Sequence, residues 1–229
     1  MILTLYKEDD LAIRMSKAID LPEMGYDYHV KQINILKGFG VNGITSAKKV
    51  WRKSPYSYML VAETMQSNKI VAGIRIDVNA ATHPIPIEDA LGNSVPEVGE
   101  KIRNWESQGA VGEICGLWVD REYAGKDLPV HMIRSTIASA PLIGIRNLVG
   151  FANKYSYPTT EKLGFRKVTD FENEGNFFYP DPRYLTFIVQ MDVKEMTMTP
   201  PEEKARIERV RNTYQQEVKM HQLIYSELY

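Results

Sequence analysis

The chain has 229 residues, 44% hydrophobic and 25% charged, enough to bury one large core and too apolar for a disordered segment. Its 28 basic and 29 acidic residues leave a net charge of −1, which excludes a global field favouring nucleic acid or an anionic membrane. A single cysteine, Cys115, excludes an internal disulfide and a thiolate metal cluster.

The opening apolar run meets charge at Lys7, too early for a signal peptide, and no window approaches the roughly 18 apolar residues of a membrane-spanning helix. The expectation is a cytoplasmic protein with no stable membrane insertion, no nucleic-acid partner and no metal. "DDLAIRMSKAID" has the spacing of an amphipathic helix behind an acidic cap. "SYMLVAET" (57–64) and "KIVAGIRIDV" (69–78) are β-rich and flank a turn at Ser67 and Asn68, which predicts a hairpin. From Asn79 to Gly99 the chain is proline-rich and reads as loop, with one helical turn at "IEDAL". A loop of that length covers something.

"AVGEICGLWV" (110–119) reads as a buried strand, followed by a helix from about Pro129 to Ser139. "IRNLVGFA" (145–152) is a second strand, and "YPTTEKLGF" a short helix stopped by Gly164. This alternation predicts a parallel pair at the centre of a mixed sheet, extended by "FRKVTDFE" and "YLTFIVQMDV". After Pro200-Pro201, Ile207, Val210, Tyr214, Val218, Ile224 and Leu228 recur at helical spacing. Residues 1–199 would form one domain, and 200–229 a helix docking on that domain or on a twin subunit in a homodimer.

Glu113 alternates along an otherwise apolar strand, where a carboxylate is costly unless it is paired or functional. Its structural reading is a pair with Arg75 or Arg146. Cys115, two residues on, shares its face and has the burial habit of a small apolar group as well as a nucleophile's chemistry. Arg75, between Ile74 and Ile76, carries a planar fork suited to a carboxylate. His83 and His131 have no partner at recognisable catalytic or metal spacing. "NFFYPDPRY" (176–184) concentrates aromatic surface that would pack in the core or line an apolar slot.

"LWVDREYAGKDLPVHMIRS", followed about thirty residues later by "NKYSYPTTEKLGF", resembles the two signature segments of the GNAT acyltransferase superfamily. The resemblance implies an α/β (α+β) fold: a mixed, mostly antiparallel sheet with a splayed parallel strand pair, flanking helices and, in this chain, a C-terminal helix. It implies an acyl thioester, acyl-CoA or an acyl carrier protein thioester, as co-substrate, held along Leu117, Val119, Gly125, Lys126 and Asn153. An anion at the turn would meet free amides and the positive end of a helix. This chain departs from the pattern at Ala124, Asp127 and Pro129. An aspartate there would repel phosphate, and a proline has no N–H to donate.

In the second segment Ser156 keeps the small position, Thr160 replaces the tyrosine that protonates the departing thiolate, and Tyr157 lies one turn earlier. "GEICGLWVDR", "AGIRIDVNAATHPIPIEDAL" and "FFYPDPRYLTFIVQMDV" are similar to stretches of acyl-homoserine-lactone and long-chain N-acyl amino acid synthases, which share that fold. Gly116 stands where those synthases have arginine and Cys115 where they have serine, while "VWRKSPYSY" supplies Trp51 and Arg52. The resemblance casts the chain as an N-acyltransferase for a small amine acceptor. Glu113 would be its base and Tyr157 its acid, with Arg75, Cys115 and Trp118 at the substrate. The departures in the turn admit an alternative, a non-catalytic ligand-sensing or interaction module of the same fold.

Overall fold

The structure is a computed structural model that describes residues 3–227 apart from 9, 93, 126 and 172. Its strands are β1 (Leu3–Glu8), β2 (Leu11–Lys17), β3 (Ser57–Thr64), β4 (Ile70–Val78), β5 (Ala110–Val119), β6 (Ile145–Asn153), β7 (Arg166–Lys167), β8 (Asn176–Phe178) and β9 (Leu185–Asp192). Its helices are α1 (Pro22–Gly38), α2 (Pro86–Leu91), α3 (Glu97–Glu106), α4 (Leu128–Ser139), α5 (Tyr157–Lys162) and α6 (Pro201–Glu227). The strands form one sheet in the order β1-β2-β3-β4-β5-β6-β9-β7, with β8 beside β9. Every pairing among the described residues is antiparallel except β5 with β6.

Period-two alternation sorts the central strands between two faces. Leu60, Ile74, Ile76, Leu148 and Val189 point to one side, where α4 and α6 cover them with Met132, Ile137, Ile207 and Val210. Fully burying each such side chain stabilises by about 1.5–3 kcal/mol. The other face carries two smaller cores. α2 and α3 pack Ile87, Ile102 and Trp105 over Val149 and Ile188, and α1 packs Tyr28 over Met59, Val61 and Trp118.

The β3–β4 hairpin, β5, α4, β6, α5 and β9 form where the sequence places them, with Asn68 at φ 53° in the hairpin turn. "LAIRMSK" differs: it is strand β2 rather than a helix, followed by a single 3-10 turn at Ala18–Asp20. Its pairing with β1 and β3 satisfies the backbone along its whole length. The segment 79–99 is mostly loop, as expected, with its helical turn at α2 (Pro86–Leu91), and α3 begins at Glu97. "FRKVTDFE" contributes only the two residues of β7, because Val168 and Phe171 turn inward to the α3 core. Leu228 lies outside the described residues. At the head of α6, Glu203 forms a buried ion pair with Arg134 of α4, and Arg211 donates to the Ala138 and Val193 carbonyls. No helix among the described residues is long and apolar enough to cross a membrane.

Candidate active site

Parallel pairing of β5 with β6 runs from Ala110–Ile145 to Glu113–Val149 and then stops, although both strands continue. Past Glu113 they diverge and leave a splay between them. Gly150 permits the close approach at its apex: a Cβ there would lie 2.8 Å from Ile114 Cγ2 and 3.0 Å from the Ile114 carbonyl oxygen. On its other side β5 stays paired with β4 through a bulge, Gly73 facing Trp118 and Arg75 facing Cys115. Two residues, Gly116 and Leu117, oppose Ile74 alone, and Gly116 takes the left-handed φ of +64° that suits such a bulge. The extra residue changes the phase of the strand. Leu117 is therefore exposed, and Trp118 joins the α1 face with Glu113 and Cys115.

On that face a polar cluster lies between the two smaller cores. Asp77 faces Glu113 across the ladder, as Arg75 faces Cys115. Arg75 gives Asp77 a fork of bonds, Nε to Oδ1 at 2.9 Å and Nη2 to Oδ2 at 2.7 Å, and donates Nη1 to the Ser46 carbonyl at 3.0 Å. Its guanidinium lies 4.4 Å from the centre of the Trp51 ring. Ser57 Oγ donates to Asp77 at 2.6 Å, and the Cys115 thiol to the same carboxylate at 3.5 Å. Burial alone would raise the Asp77 carboxyl, but the Arg75 charge and the hydrogen bonds from Arg75 and Ser57 hold it below its ordinary value. Arg75 is thus already neutralised and does not present a free fork to a substrate.

Glu113 is 1% exposed and pairs with neither Arg75 nor Arg146, whose guanidinium binds Asp192 instead. Its Oε2 accepts the Ile87 backbone N–H at 2.7 Å. Burial pushes its carboxyl well above the ordinary range, the Ile87 bond opposing and Asp77 reinforcing the shift. Burial likewise raises the Cys115 thiol well above its ordinary value, so the sulfur stays protonated as a donor to Asp77 and is no ready nucleophile. A strap at Thr45 and Ser46 ties these elements together. Tyr179 Oη accepts the Thr45 N–H at 2.5 Å and stacks on Phe151 of β6, 4.8 Å between ring centres, while Thr45 Oγ1 donates to the Pro86 carbonyl.

Beneath α1, beside the bulge, several buried polar atoms have no hydrogen-bond partner among the described residues: Gln32 Oε1, Trp51 Nε1, Trp118 Nε1, His29 Nδ1 and Arg52 Nε. Burial, then the charges of Arg52, Arg75 and Lys49, depress the His29 imidazole, so this recess is electropositive. Buried donors without acceptors are costly unless a water or ligand meets them.

The second segment is more conventional. Asn153 Oδ1 accepts the Tyr155 and Ser156 amides at 2.9 and 3.1 Å, fixing the turn into α5. Thr160 donates to its own helix at the Tyr157 carbonyl. Tyr157 donates its hydroxyl to Glu161 at 2.9 Å and sets its ring edge-on to Phe187. Burial and then Glu161 raise its hydroxyl above the ordinary tyrosine value.

In the turn after β5, Val119 is half-buried, Gly125 has φ 84° and Asp127 the left-handed φ of 50°, with Pro129 in the first turn of α4. Lys126 lies outside the described residues. A cavity of about 1150 Å³ opens beside this turn between α4, α5 and α6. Lys162 and Arg209 line it without an ion pair among the described residues. His83 stacks on Tyr56 with its Nε2 3.3 Å from Ser54 Oγ and is among the groups that hold the Asp77 carboxyl down, and His131 contacts Arg134. No three His, Cys, Asp or Glu side chains among the described residues are grouped to hold a metal.

Sequence reasoning missed Asp77, Ser57, Tyr28, Gln32 and Tyr179. Asp77 had a signal: Arg75-x-Asp77 puts both charges on one strand face, opposite Ile74 and Ile76. Ser57 opens the predicted strand and Tyr179 lies in the aromatic stretch 176–184, but nothing local marks either as a partner of the site, and Tyr28 and Gln32 lie on a helix without an apolar stripe.

Neither a family model nor the sequence of a curated protein matches the chain. Solved structures do. FeeM, an N-acyl amino acid synthase from uncultured soil microbes, superposes with a TM-score of 0.58 at 11% identity, covering 82% of this chain and 94% of that one. BjaI, a CoA-dependent acyl-homoserine lactone synthase determined with SAM and isopentyl-CoA, gives 0.54 at 11% identity, covering 86% and 87%. A ribosomal-protein-S5-alanine acetyltransferase from Vibrio fischeri gives 0.52 at 11%, covering 85% and 98%. The chain has the GNAT fold, as its signature segments imply.

Proposed function

We propose that the chain is an N-acyltransferase that moves an acyl group from an acyl thioester to a small amine. The observation that carries this reading is a buried carboxyl, Glu113, at the apex of an open strand splay, with its proton affinity raised by burial. A base works best when its pKa approaches the working pH, and this burial moves a carboxyl in that direction. The amine nitrogen attacks the thioester carbonyl, the C–N bond forms as the C–S bond breaks, and Glu113 takes the ammonium proton directly or through one water. Backbone amides along Leu117 and Trp118 would polarise the carbonyl oxygen. Tyr157 would give its proton to the leaving thiolate, Glu161 orienting its hydroxyl.

Asn153 and Gly125 would flank the donor, with Lys126, Lys162 and Arg209 offering charge to its phosphates, whether acyl-CoA or a carrier-protein arm. The unpaired donors of Trp51 and Trp118 beside the bulge suit an acceptor bearing a carboxylate. Arg75, sealed by Asp77, would hold Trp51 and the Ser46 strap in place rather than grip the substrate. A second reading has one specific support: Asp127 and Pro129 disfavour phosphate, as expected of a binding module that no longer turns over.

Thermal unfolding against acetyl-CoA, long-chain acyl-CoA and acyl-carrier-protein thioesters tests the reading, followed by release of free thiol in the presence of amines. Saturation at a hundredfold excess over Kd stabilises by about 2.7 kcal/mol. For a chain of this size that is roughly 5–10 °C. No shift with any donor would sink the enzyme and leave the binding module.

A further inference from the structure

A second cavity, of about 610 Å³, lies between the end of β2 and the start of β3, the turn after α4, and the distal half of α6. Its volume is that of a small-molecule site, and no residue of the splay or the polar cluster lines it. Met15, Leu142, Ile143 and Val218 make its walls apolar. Tyr58 and Tyr214 also line it. Their hydroxyls have no hydrogen-bond partner among the described residues, yet they are not among the polar atoms sealed from solvent. Tyr214 is 5% exposed overall, so its contact with solvent runs through the cavity.

Burial, then the neighbouring Tyr58, pushes the Tyr214 hydroxyl up to about 12, and it remains a donor at neutral pH. Lys17 and Lys219 stand in the cavity wall with no ion pair among the described residues, Lys17 over the Tyr58 ring at 5.7 Å. Asp20 lines it too. An apolar chamber lined by two tyrosine hydroxyls and two ammonium groups, none of them with a hydrogen-bond or ion-pair partner among the described residues, matches one ligand chemistry.

We propose that this cavity binds an amphiphile with an aliphatic chain and a carboxylate head. The chain would lie along Met15, Leu142 and Ile143, and the head would accept from Tyr58 and Tyr214 between Lys17 and Lys219. The occupant would add to the contacts that Tyr214, Glu217 and Val218 already make between the second half of α6 and the domain. Free fatty acids and N-acyl amino acids both have this chemistry.

Calorimetric titration of the full chain with decanoate, N-decanoylglycine and methyl decanoate separates the sources and tests the head. One saturable site is expected for at least one carboxylate, with the methyl ester at least tenfold weaker. Decanoate binding tighter than N-decanoylglycine identifies free fatty acid as the ligand, and the reverse identifies the N-acyl conjugate. Leu142→Trp, which fills the chamber, and the Lys17→Glu/Lys219→Glu pair should each weaken binding at least tenfold. Glu113→Gln should leave it unchanged, which keeps the result separate from the fate of the splay reading. Hydrogen exchange across Tyr214 to Lys219 should slow on binding. An absent saturable site, equal affinity for the ester, binding that survives both variants, or heat without protection of that segment would each overturn the proposal.

Discussion

Asp77→Asn removes the charge that neutralises Arg75 while keeping the side chain's shape. The Arg75 and Asp77 side chains are 1% and 2% exposed, and three N–H···O contacts join them. Breaking such a pair from one side leaves an uncompensated buried cation, a loss of about 3–5 kcal/mol, whereas replacing both partners with apolar groups is often neutral. At roughly 2–4 °C per kcal/mol for a chain of this length, the single variant should melt about 6–20 °C below the parent. Arg75→Met/Asp77→Leu should recover most of that loss. Urea unfolding at pH 7 of the parent, each single variant and the double variant gives the coupling directly. A single-variant loss below about 1 kcal/mol, or a double variant as unstable as the two singles summed, would refute the claim that the pair is a sealed ionic unit.

The pH dependence adds an independent arm with opposite signs for the two facing carboxyls. Asp77 is depressed in the folded state, so its contribution is present above the unfolded carboxylate pKa and is lost as pH falls through the folded value. Glu113 is raised by burial, so the folded state keeps a proton that the unfolded chain has released. Its contribution is present below the unfolded value of about 4.3 and is lost as pH rises through the folded one. Asp77→Asn should therefore flatten the acid limb of the stability profile, and Glu113→Gln the descent on the neutral side.

Turnover by Glu113→Gln should fall by about 10²- to 10⁴-fold with folding retained, since Gln can still accept the Ile87 amide; a fall below tenfold would remove Glu113 as base. Asp127→Gly relieves a left-handed aspartate and removes a carboxylate from the turn after β5, the proposed phosphate site. It should tighten acyl-CoA binding severalfold without lowering the melting temperature, as measured by titration and thermal scan. Gly116→Ala should destabilise by about 1–3 kcal/mol in urea, because its φ is +64° and the added Cβ would sit 2.9 Å from Gln32 Nε2 and 3.0 Å from Tyr28 Oη.

How much was legible in the sequence follows from which faces are buried. The β3–β4 hairpin and β5 alternate, and α4 and α6 carry apolar positions at helical spacing, so each announces itself. β2 does not: Ala12 and Ser16 are buried on one side and Ile13 and Met15 on the other, so the strand loses its alternation and mimics a helical stripe. α1 was invisible for a related reason. The residues it buries are Gly25, Tyr28 and Gln32, a small and polar face with no apolar signal. α3 was readable from Val98, Ile102 and Trp105 and was lost among the prolines before it. At the site, Glu113 and Cys115 were legible because a polar residue on an apolar strand is conspicuous. The Thr45–Tyr179 link was not, since it joins positions 134 residues apart.

The bulge connects these observations. To leave β6 at Glu113 while remaining on β4, β5 must take up extra twist, and the two-for-one pairing opposite Ile74 supplies it. That solution requires a left-handed residue at position 116, packed closely under Gln32 and Tyr28, whose hydroxyl donates to the Gly116 carbonyl at 2.7 Å. An arginine, the residue found there in the synthases this strand resembles, would meet both neighbours and the Arg75 charge, whose Nη1 lies 3.6 Å from the Cβ position. The positive charge and donors of the recess must therefore come from elsewhere. Arg52, Lys49, Trp51 and Trp118 surround it from the segment before β3 and from β5 beyond the bulge. In this chain the Arg52 and Lys49 charges of the recess and the Trp51 donor come from the segment before β3, outside the signature segments, and only the Trp118 donor comes from within them.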